Sequence, residues 1–388
     1  MKWLNRYFSR LFNAYLVLTS GSSVSAYSYF ALFTIMACAG ISYQAQAAFK
    51  DPLDTPARMV EAPEKRPLQA ITNAGERLVA VGARGLIITS DDNGESWEQS
   101  PSPVQNDLLA VQFPTATQGW VVGHGGVVLH SADAGKSWQK QLDGRLAAEE
   151  FKAFYKSRAE KGDAASLDGL KMVELNYSSG PTLPLLDVWF DSAEFGFAVG
   201  SFGTILGTTD GGRSWRPWFE RIDNEEQLNL NAIRGVGDDI YIAAERGTLF
   251  KFDRKTERFE RVETGYEGSF FGLTGSHDLL VAYGLSGMVY RSLDAGEIWE
   301  NIVSPSGATI TSGVILPGSQ EMILVNAGGD LLWGNGATDE KLSLRKSHNA
   351  ARYTDIVLLP NDQLLFITSM EGVRIESLHD ALRTGNPL

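Results

Sequence analysis

Four stretches of the sequence carry an aspartate whose neighbours are spaced to hold its carboxylate in a turn. Such a carboxylate can accept backbone N–H bonds across a hairpin, while the glycine of the stretch permits a positive φ and its tryptophan covers apolar surface. We predict a structural role and no catalytic residue in these boxes. They comprise Ser90, Asp92, Gly94 and Trp97; Ser131, Asp133, Gly135 and Trp138; Thr208, Asp210, Gly212 and Trp215; and Ser292, Asp294, Gly296 and Trp299.

The four stretches resemble the Asp boxes of bacterial-neuraminidase-repeat propellers, which raises the hypothesis of a sialidase-like glycosidase or a glycan-binding propeller. Such an enzyme needs an arginine cluster for the substrate carboxylate, a proton-donating acid and a tyrosine activated by a glutamate. The early arginines Arg58, Arg66, Arg77 and Arg84 stand in no Phe-Arg-Ile-Pro motif. We therefore predict that the protein is not an enzyme, and keep the glycosidase as an alternative.

The elements that position the boxes repeat along almost the whole chain. A period near 40 residues, made of short apolar strands and glycine-rich turns, is typical of propeller blades. The glycine that closes the turn recurs seven times, as Gly85, Gly126, Gly203, Gly247, Gly287, Gly329 and Gly372. We therefore expect an all-β, seven-bladed β-propeller with four-stranded blades at about 67–100, 107–141, 184–219, 229–263, 268–303, 309–346 and 351–378.

The seventh copy lacks a fourth strand of its own, because no strand-like segment follows Glu376. A ring must nevertheless close, and an unpaired strand edge invites aggregation. The Pro-rich stretch before the first blade contains one strand candidate, Ala57 to Val60. We predict that residues 56–62 supply the missing strand of the last blade, within one domain that spans residues 48–388.

Residues 142–183 do not repeat and form an insertion between the second and third blades. Apolar residues at three- and four-residue steps predict a helix from Arg145 to Lys161 with an aromatic stripe. This stripe either packs onto the blades beneath it or forms, with the nearby turns, a docking surface for a partner. The candidate partner-binding residues are Phe151, Phe154 and Tyr155 on the helix and Arg84, His124, Phe202 and Arg246 at the turns.

The innermost strands carry mostly small residues where they must face the central channel. Asp187 and Asp355 are the charged exceptions, which we expect to be solvated at the channel mouth; a cation held by them is the alternative. The histidines show no metal-ligand spacing, so we predict no metal site and no cofactor. The predicted channel positions are Ala70, Ala110, Asp187, Ala232, Gly272, Gly313 and Asp355.

Residues 1–47 have the pattern of an export signal. They contain no acidic side chain, and basic residues precede an apolar stretch that ends near an Ala-x-Ala site. We predict cleavage after Ala47 and a periplasmic protein. A retained membrane anchor and lipidation at Cys38 are the alternatives.

The balance of charge limits the classes of partner. The sequence has 34 Lys plus Arg against 47 Asp plus Glu, a net charge of −13, and it has no basic block. We therefore expect no nucleic-acid partner, because such a partner is held mainly through its phosphates. We expect no small-molecule substrate either.

The whole pattern resembles the photosystem II stability and assembly factor family. The resemblance covers about residues 67–377 and rests on repeats of the form L-x-A-V, G-W-V-V-G-x-x-G and S-x-D-x-G-x-S-W. It implies a non-enzymatic seven-bladed propeller that holds membrane-protein assembly intermediates. Similar proteins of non-photosynthetic bacteria are often encoded beside transporters of the resistance-nodulation-division (RND) type. We therefore predict a periplasmic scaffold for an inner-membrane complex such as an RND-type transporter, with photosystem II assembly as the alternative.

Overall fold

The computed structural model describes residues 50–180, 182–346, 351–359 and 363–382. Its contacts divide the chain between Lys50 and Asp51, and the unit described below begins at Asp51. The predicted signal segment and Cys38 lie outside the described residues. Within the described ranges, no helix is long and apolar enough to cross a membrane.

The strands form seven antiparallel sheets, one for each repeat, and in each sheet they follow one another from the innermost strand outward. Blades 1 to 4 consist of β1 (Leu68–Ala74), β2 (Arg77–Gly82), β3 (Ile87–Ser90) and β4 (Glu98–Gln99); β5 (Leu108–Gln112), β6 (Gly119–Gly123), β7 (Val128–Ser131) and β8 (Gln139–Leu142); β9 (Leu185–Phe190), β10 (Gly196–Gly200), β11 (Ile205–Thr208) and β12 (Arg216–Pro217); and β13 (Leu230–Val236), β14 (Asp239–Ala244), β15 (Thr248–Asp253) and β16 (Arg258–Glu263). Blades 5 to 7 consist of β17 (Phe270–Ser276), β18 (Leu279–Gly284), β19 (Val289–Ser292) and β20 (Glu300–Ile302); β21 (Ile310–Ile315), β22 (Glu321–Asn326), β23 (Leu331–Asn335) and β24 (Ser343–Arg345); and β25 (Tyr353–Leu359), β26 (Leu364–Ser369) and β27 (Gly372–Ser377).

The seven innermost strands lie side by side around one axis, and β25 of the last blade contacts β1 of the first. The predicted seven-bladed β-propeller is therefore confirmed. At the junction of blades 7 and 1, the hydroxyl of Thr354 donates to the carbonyl of Leu68 at 3.0 Å, and the N–H of Ile71 donates to the carboxylate of Asp355 at 2.9 Å. The ring thus closes through side chains that cross from one innermost strand to the next.

Every innermost strand shifts its register by one residue near its start. The residue after this bulge is the one that corresponds from blade to blade along the channel wall. In blade 6 that residue is Ser312, so the predicted channel position Gly313 is wrong by one residue. In blade 6 the pair Gly313-Val314 repeats the small-then-branched pattern of the other blades one residue after Ser312, so the sequence pattern points to the wrong residue.

The last blade is closed differently from the prediction. Among the described residues its sheet has three strands, β25 to β27, and residues 56–62 form no strand. The N–H of Ala57 instead donates to the carbonyl of Ser102 at 3.0 Å, and the N–H of Val60 donates to the side chain of Gln99 at 2.9 Å. The predicted closing strand therefore lies against blade 1, and the prediction that it completes blade 7 is wrong.

The N-terminal segment is held beside the second blade by one apolar contact and several ionic ones. Leu53 is buried in the cluster that includes Val104, between blades 1 and 2. The carboxylate of Asp54 pairs with Lys140 at 3.2 Å and with Arg145 at 2.7 Å. These contacts fix the first part of the segment at blade 2. Its later turn Pro63–Lys65 contacts β27 at Gly372 but adds no strand to that sheet.

The insertion is a pair of helices, α1 (Gly144–Glu160) and α2 (Ala165–Asn176). The carboxylate of Asp143 caps α1 by accepting the N–H groups of Arg145 and Leu146 at 3.0 and 3.2 Å. A short helix, α3 (Leu378–Ala381), follows β27. Single helical turns lie at Pro52–Asp54, Pro63–Lys65, Ala83–Gly85, His124–Gly126, Ser201–Gly203, Phe219–Arg221 and Leu285–Gly287.

Candidate functional site

The turn face is the side of the ring that carries the turns between the second and third strands, the connections into each next blade and the helical insertion. The opposite side, the Asp-box face, carries the four boxes. On the turn face, the middle residue of the turn is left-handed in five blades, at Arg84, Gly125, Phe202, Arg246 and Ser286. Side chains other than glycine are uncommon in that conformation.

Polar side chains from the next connection hold these turns in place. The N–H of Arg84 donates to the carboxylate of Asp107 at 2.7 Å, just before blade 2 begins. The N–H of Phe202 donates to the side chain of Asn229 at 2.8 Å, just before blade 4 begins. The carbonyl of Phe202 also accepts a bond of 3.2 Å from Asn176 at the end of α2. The turn tip of blade 3 and the insertion therefore form one connected surface.

The predicted turn residues are all exposed. Phe202 leaves 55% of its surface accessible, and Arg246 pairs with Glu226 at 3.1 Å. In blade 2 the left-handed tip is Gly125, and His124 precedes it. The four predicted residues are Arg84, His124, Phe202 and Arg246. Further apolar side chains exposed on the turn face, which the sequence did not single out, are Leu175, Phe271 and Leu285.

The aromatic stripe of α1 belongs mainly to the core. Phe151 and Tyr155 are fully buried, so their prediction as partner-binding residues is wrong, whereas Phe154 is only partly buried. The hydroxyl of Tyr155 donates to the carboxylate of Glu220, which also pairs with Arg158 at 3.0 Å. Burial and the neighbouring carboxylate raise the pKa of Tyr155 far above its usual range. This tyrosine fastens α1 to blade 3 and is a poor nucleophile.

A cavity of about 350 Å³ beside the insertion brings Arg158, Arg216 and Arg221 together with two acids, Glu220 and Glu257. Such a grouping of arginines and acids is what the glycosidase hypothesis requires. Arg158 is already paired with Glu220, and Arg221 lies over the ring of Trp218 at 4.6 Å and pairs with Glu257 at 2.6 Å. Two of the three guanidinium groups are thus engaged within the protein, and the neighbouring tyrosine is buried and protonated. The cavity therefore lacks the activated nucleophile of a sialidase.

The Asp boxes make the hydrogen bonds that their spacing predicts. In the first box, the carboxylate of Asp92 accepts the N–H of Ser96 at 2.9 Å, and Ser90 donates to it at 2.8 Å while accepting the N–H of Gly94 at 2.9 Å. The bonds from Ser96 and Ser90 lower the pKa of Asp92 to about 2. The same arrangement recurs around Asp133, Asp210 and Asp294. These carboxylates hold the loops of the Asp-box face.

The central channel, a cavity of about 380 Å³, contains an internal ion pair. Asp187 is 4% exposed, accepts the N–H groups of Val188 and Ile233 at 2.9 and 2.8 Å, and pairs with Arg234. Burial raises the pKa of Asp187, and the guanidinium of Arg234 opposes that shift. The prediction that Asp187 is solvated is therefore wrong.

Asp355 has neutral partners at the corresponding position of blade 7. Its carboxylate accepts the hydroxyl of Ser312 at 2.5 Å and the N–H groups of Ile71 and Ile356 at 2.9 Å each. Enclosure in the channel wall raises its pKa. Asp355 is thus hydrogen-bonded within the wall but remains partly exposed, so the prediction of a solvated side chain is only partly correct for it. Within the described part of the chain, no group of three or more His, Cys, Asp or Glu side chains could hold a metal ion.

Seven blades, self-contained Asp boxes and a turn face with exposed aromatic and arginine side chains define a β-propeller of the bacterial-neuraminidase-repeat type. A family model described as photosynthesis system II assembly factor YCF48 matches residues 66–160 and 164–332, about two thirds of the chain. The chain therefore belongs to this family.

Curated relatives match part of the chain. The photosystem II assembly lipoprotein Ycf48 of Synechococcus sp. (strain CC9902) is 29% identical over 154 residues, which are 38% of this chain and 44% of that protein. The photosystem II assembly protein Ycf48 of Synechococcus sp. (strain JA-3-3Ab) is 26% identical over 192 residues, which are 45% of this chain and 56% of that protein. The chain thus spans about half the length of these relatives. They favour the photosystem alternative over the RND-type transporter hypothesis.

Solved structures match the whole fold. A structure described as YCF48 bound to D1 peptide has a TM-score of 0.58 and 16% identity, and covers 83% of this chain and 98% of that one. YCF48 from Cyanidioschyzon merolae has a TM-score of 0.57 and 16% identity, and covers 82% of this chain and 97% of that one. At this identity the likeness establishes the fold.

Proposed function

We propose that this protein is an exported, non-enzymatic assembly factor that binds an extended segment of a membrane-protein subunit of the photosystem II type. The observation that carries the proposal is the set of exposed aromatic and arginine side chains on the turn face, with Phe202, Phe271 and Arg84 as anchors. Aromatic and arginine side chains contribute most of the binding energy in protein interfaces. Membership of the YCF48 family and the relative bound to a D1 peptide support the same function.

The mechanism is binding to a surface that is already in place. The turn tips are fixed by acceptors such as Asp107 and Asn229, so little loop ordering is needed when a partner binds. Less ordering leaves more of the contact energy as affinity. No bond is made or broken in the partner, and the ring stabilises an intermediate only while it is bound.

We place this function on the outer side of the membrane from which the partner projects. The predicted export signal and the lipoprotein named among the relatives support an exported, membrane-associated protein. We propose a photosystem-type subunit as the partner in preference to an RND-type transporter, because the relatives that match are photosystem II assembly proteins.

The proposal is tested by measuring the binding of a fluorescent D1 peptide to the purified protein. We expect Phe202→Ala to weaken binding about tenfold or more, since truncation of an interface anchor costs about 2 kcal/mol. Ile298→Ala is the matched control, because Ile298 is an apolar side chain exposed on the Asp-box face. Equal affinity for both variants and the unchanged protein, or no binding of the peptide, would contradict the proposal.

The same pair of variants extends the test to whole complexes. Tagged protein is used for affinity capture from detergent-solubilised membranes of its host, followed by mass spectrometry. We expect photosystem subunits with the unchanged protein and with Ile298→Ala, and their loss with Phe202→Ala. Capture of transporter subunits in place of photosystem subunits would overturn the choice of partner.

A further inference from the structure

The outer edge of blade 7 is the one place where the repeat is incomplete in the described chain. The other six blades each have a fourth strand, whereas blade 7 ends at β27. β27 pairs with β26 on its inner side, and no described strand pairs with its outer side. An edge of this kind presents N–H and C=O groups that can pair with another extended chain.

The edge of β27 lies in a recess, because the blades on both sides of it are complete. Neighbouring strands in a sheet are about 4.8 Å apart, so one missing strand leaves a slot that is one strand wide. At the turn-face end, the carbonyl of Glu64 would lie 2.1 Å from a Cβ atom at Gly372, so the turn Pro63–Lys65 closes that end. Beyond that end Arg374 and Ile375 are exposed, Val373 and Ser377 are partly exposed and Glu376 is buried. Among the described residues, this stretch is the part of the edge that a single extended segment can reach.

One wall of this slot, on the side of blade 1, is apolar. Ile375 is 42% exposed, and its side chain reaches the backbone of Gly94 in the first Asp box. Val373 and Trp97 pack against the same apolar cluster between blades 7 and 1. A strand that enters the slot would therefore bury apolar side chains on this side.

The other wall, on the side of blade 6, is charged. The carboxylate of Glu376 pairs with Arg374 at 2.6 Å and with Arg345. Arg345 also donates to the backbone carbonyl of Asp380 at 2.9 Å. Two guanidinium groups thus share the one carboxylate of Glu376, which favours an acidic or hydroxyl side chain in a ligand on this side.

We propose that this slot binds one extended peptide segment of a partner by adding it as the fourth strand of blade 7. Side chains of a strand point alternately to opposite sides, so the two walls select a segment with apolar residues at every second position and acidic or hydroxyl residues between them. The proposal rests on the proposed function, which supplies a partner with an extended segment. It adds a second contact to the turn face and states the sequence pattern of what binds there.

The two unlike walls assign the slot to an extended segment of a partner. One wall is apolar and the other carries two guanidinium groups, so a segment with alternating apolar and acidic side chains complements both. A folded surface, such as a second copy of the ring, is too wide for a recess of one strand.

The probe is a synthetic heptapeptide, acetylated and amidated, with valine at alternate positions and glutamate or threonine between them. Hydrogen exchange of the full chain is followed by mass spectrometry with and without this peptide. We expect exchange of the amides in β27 to slow when the peptide binds. Ile375→Lys should weaken binding about tenfold or more by removing the apolar wall, whereas Ile298→Lys, at another exposed isoleucine, should not.

A second variant keeps the test valid if Ile375→Lys unfolds. Arg374→Glu should weaken binding of the glutamate-containing peptide and leave binding of a peptide with threonine at the same positions unchanged. Protection away from β27, or equal losses with both peptides, would overturn the proposal. So would protection of β27 in the free protein that disappears when residues 383–388 are deleted, because the chain itself would then fill the slot.

The two proposals fail separately. If Phe202→Ala abolishes binding of the D1 peptide but the heptapeptide protects no part of β27, the slot is refuted and the function of the turn face stands. If the heptapeptide binds β27 but the D1 peptide does not bind at all, the photosystem-type partner is refuted and the slot stands as a peptide site.

Discussion

Two carboxylates, at corresponding positions of blades 3 and 7, each accept a backbone N–H group from the next blade. Their other partners differ. Asp187 accepts the N–H of Ile233 in blade 4, and Asp355 accepts the N–H of Ile71 in blade 1. Both follow the bulge of an innermost strand. Each therefore joins its own blade to the next, in a ring where most blades have alanine or glycine at this position.

The partners of the two carboxylates determine how each carboxylate affects the free energy of unfolding. The guanidinium of Arg234 pairs directly with Asp187, whereas Asp355 is hydrogen-bonded only by the hydroxyl of Ser312 and backbone N–H groups and interacts with Arg234 at longer range. A buried ion pair is strongly destabilised when one partner is removed, because the other is left as an uncompensated charge. A carboxylate with neutral donors can lose its charge by taking a proton. The comparison therefore predicts that the stability of blade 3 depends on the charge of Asp187, whereas the stability of blade 7 depends on the hydrogen bonds of Asp355.

The largest effect is expected for Asp187→Ala. This change leaves Arg234 without its direct counter-ion and removes the acceptor of the Ile233 N–H, which should lower the free energy of unfolding by about 2 to 3 kcal/mol. The loss is smaller than for a fully buried pair because the side chain of Arg234 is 38% exposed and is screened by solvent. Urea unfolding measures it. The double variant Asp187→Ala, Arg234→Met removes both charges and should recover a large part of the loss. A double variant as unstable as the single one would show that the charge is not what matters.

Asparagine at both positions sharpens the contrast. Asp187→Asn and Asp355→Asn keep an acceptor oxygen and remove the charge in each case. We expect Asp187→Asn to cost about 1 kcal/mol more than Asp355→Asn, because only the former breaks a direct ion pair and solvent screens its partly exposed guanidinium. Equal losses in parallel urea titrations would mean that the two carboxylates are ionised to the same extent and are compensated alike.

The raised pKa of Asp355 predicts a dependence on pH. Between the pKa of the unfolded chain, about 3.9, and the higher value in the fold, the folded protein binds a proton that the unfolded chain has released. The contribution of Asp355 to the free energy of unfolding therefore falls as pH rises through this window, by at most about 1.4 kcal/mol per pH unit. Subtracting the urea data of Asp355→Asn from those of the unchanged protein isolates this slope. A difference that grows with pH would contradict it.

The smallest effect is expected for Ser312→Ala. The change removes one neutral donor to Asp355 and should cost about 1 kcal/mol, the usual value of one hydrogen bond. It should also move the pH window of Asp355 upward, since a donor to the ionised form lowers its pKa. Ser306→Ala, at a partly buried serine in the connection between β20 and β21, is the control for stability and should leave the pH window unchanged.

Local patterns in the sequence were sufficient for the architecture. The turn glycines and the spacing of the Asp boxes recur in every repeat in which they are expected, because each depends on residues within a few positions of one another. The bonds around Asp92 connect residues at most four positions apart. The helix of the insertion likewise follows from its own periodicity and from its cap at Asp143.

The wrong predictions concern residues that are in contact in the fold but far apart in the sequence. Tyr155 is held by Glu220, which is 65 residues away, and Asp187 by Arg234, which is 47 away. No local pattern marks either pair, so the aromatic stripe and the channel aspartates were open to other interpretations. The prediction of the closing strand was wrong for a related reason. Leu53 is buried between blades 1 and 2, and no local sequence pattern indicates this contact.

The attachment of the N-terminal segment has a mechanical consequence. In a propeller whose last blade is completed by an N-terminal strand, force applied to the N-terminus would separate that strand from the blade and open the ring. Here a pull at Asp51 would first load the contacts of Asp54 with Lys140 and Arg145, at the root of the helical insertion. Force applied at Asp51, or proteolysis near it, would therefore leave the ring of blades closed.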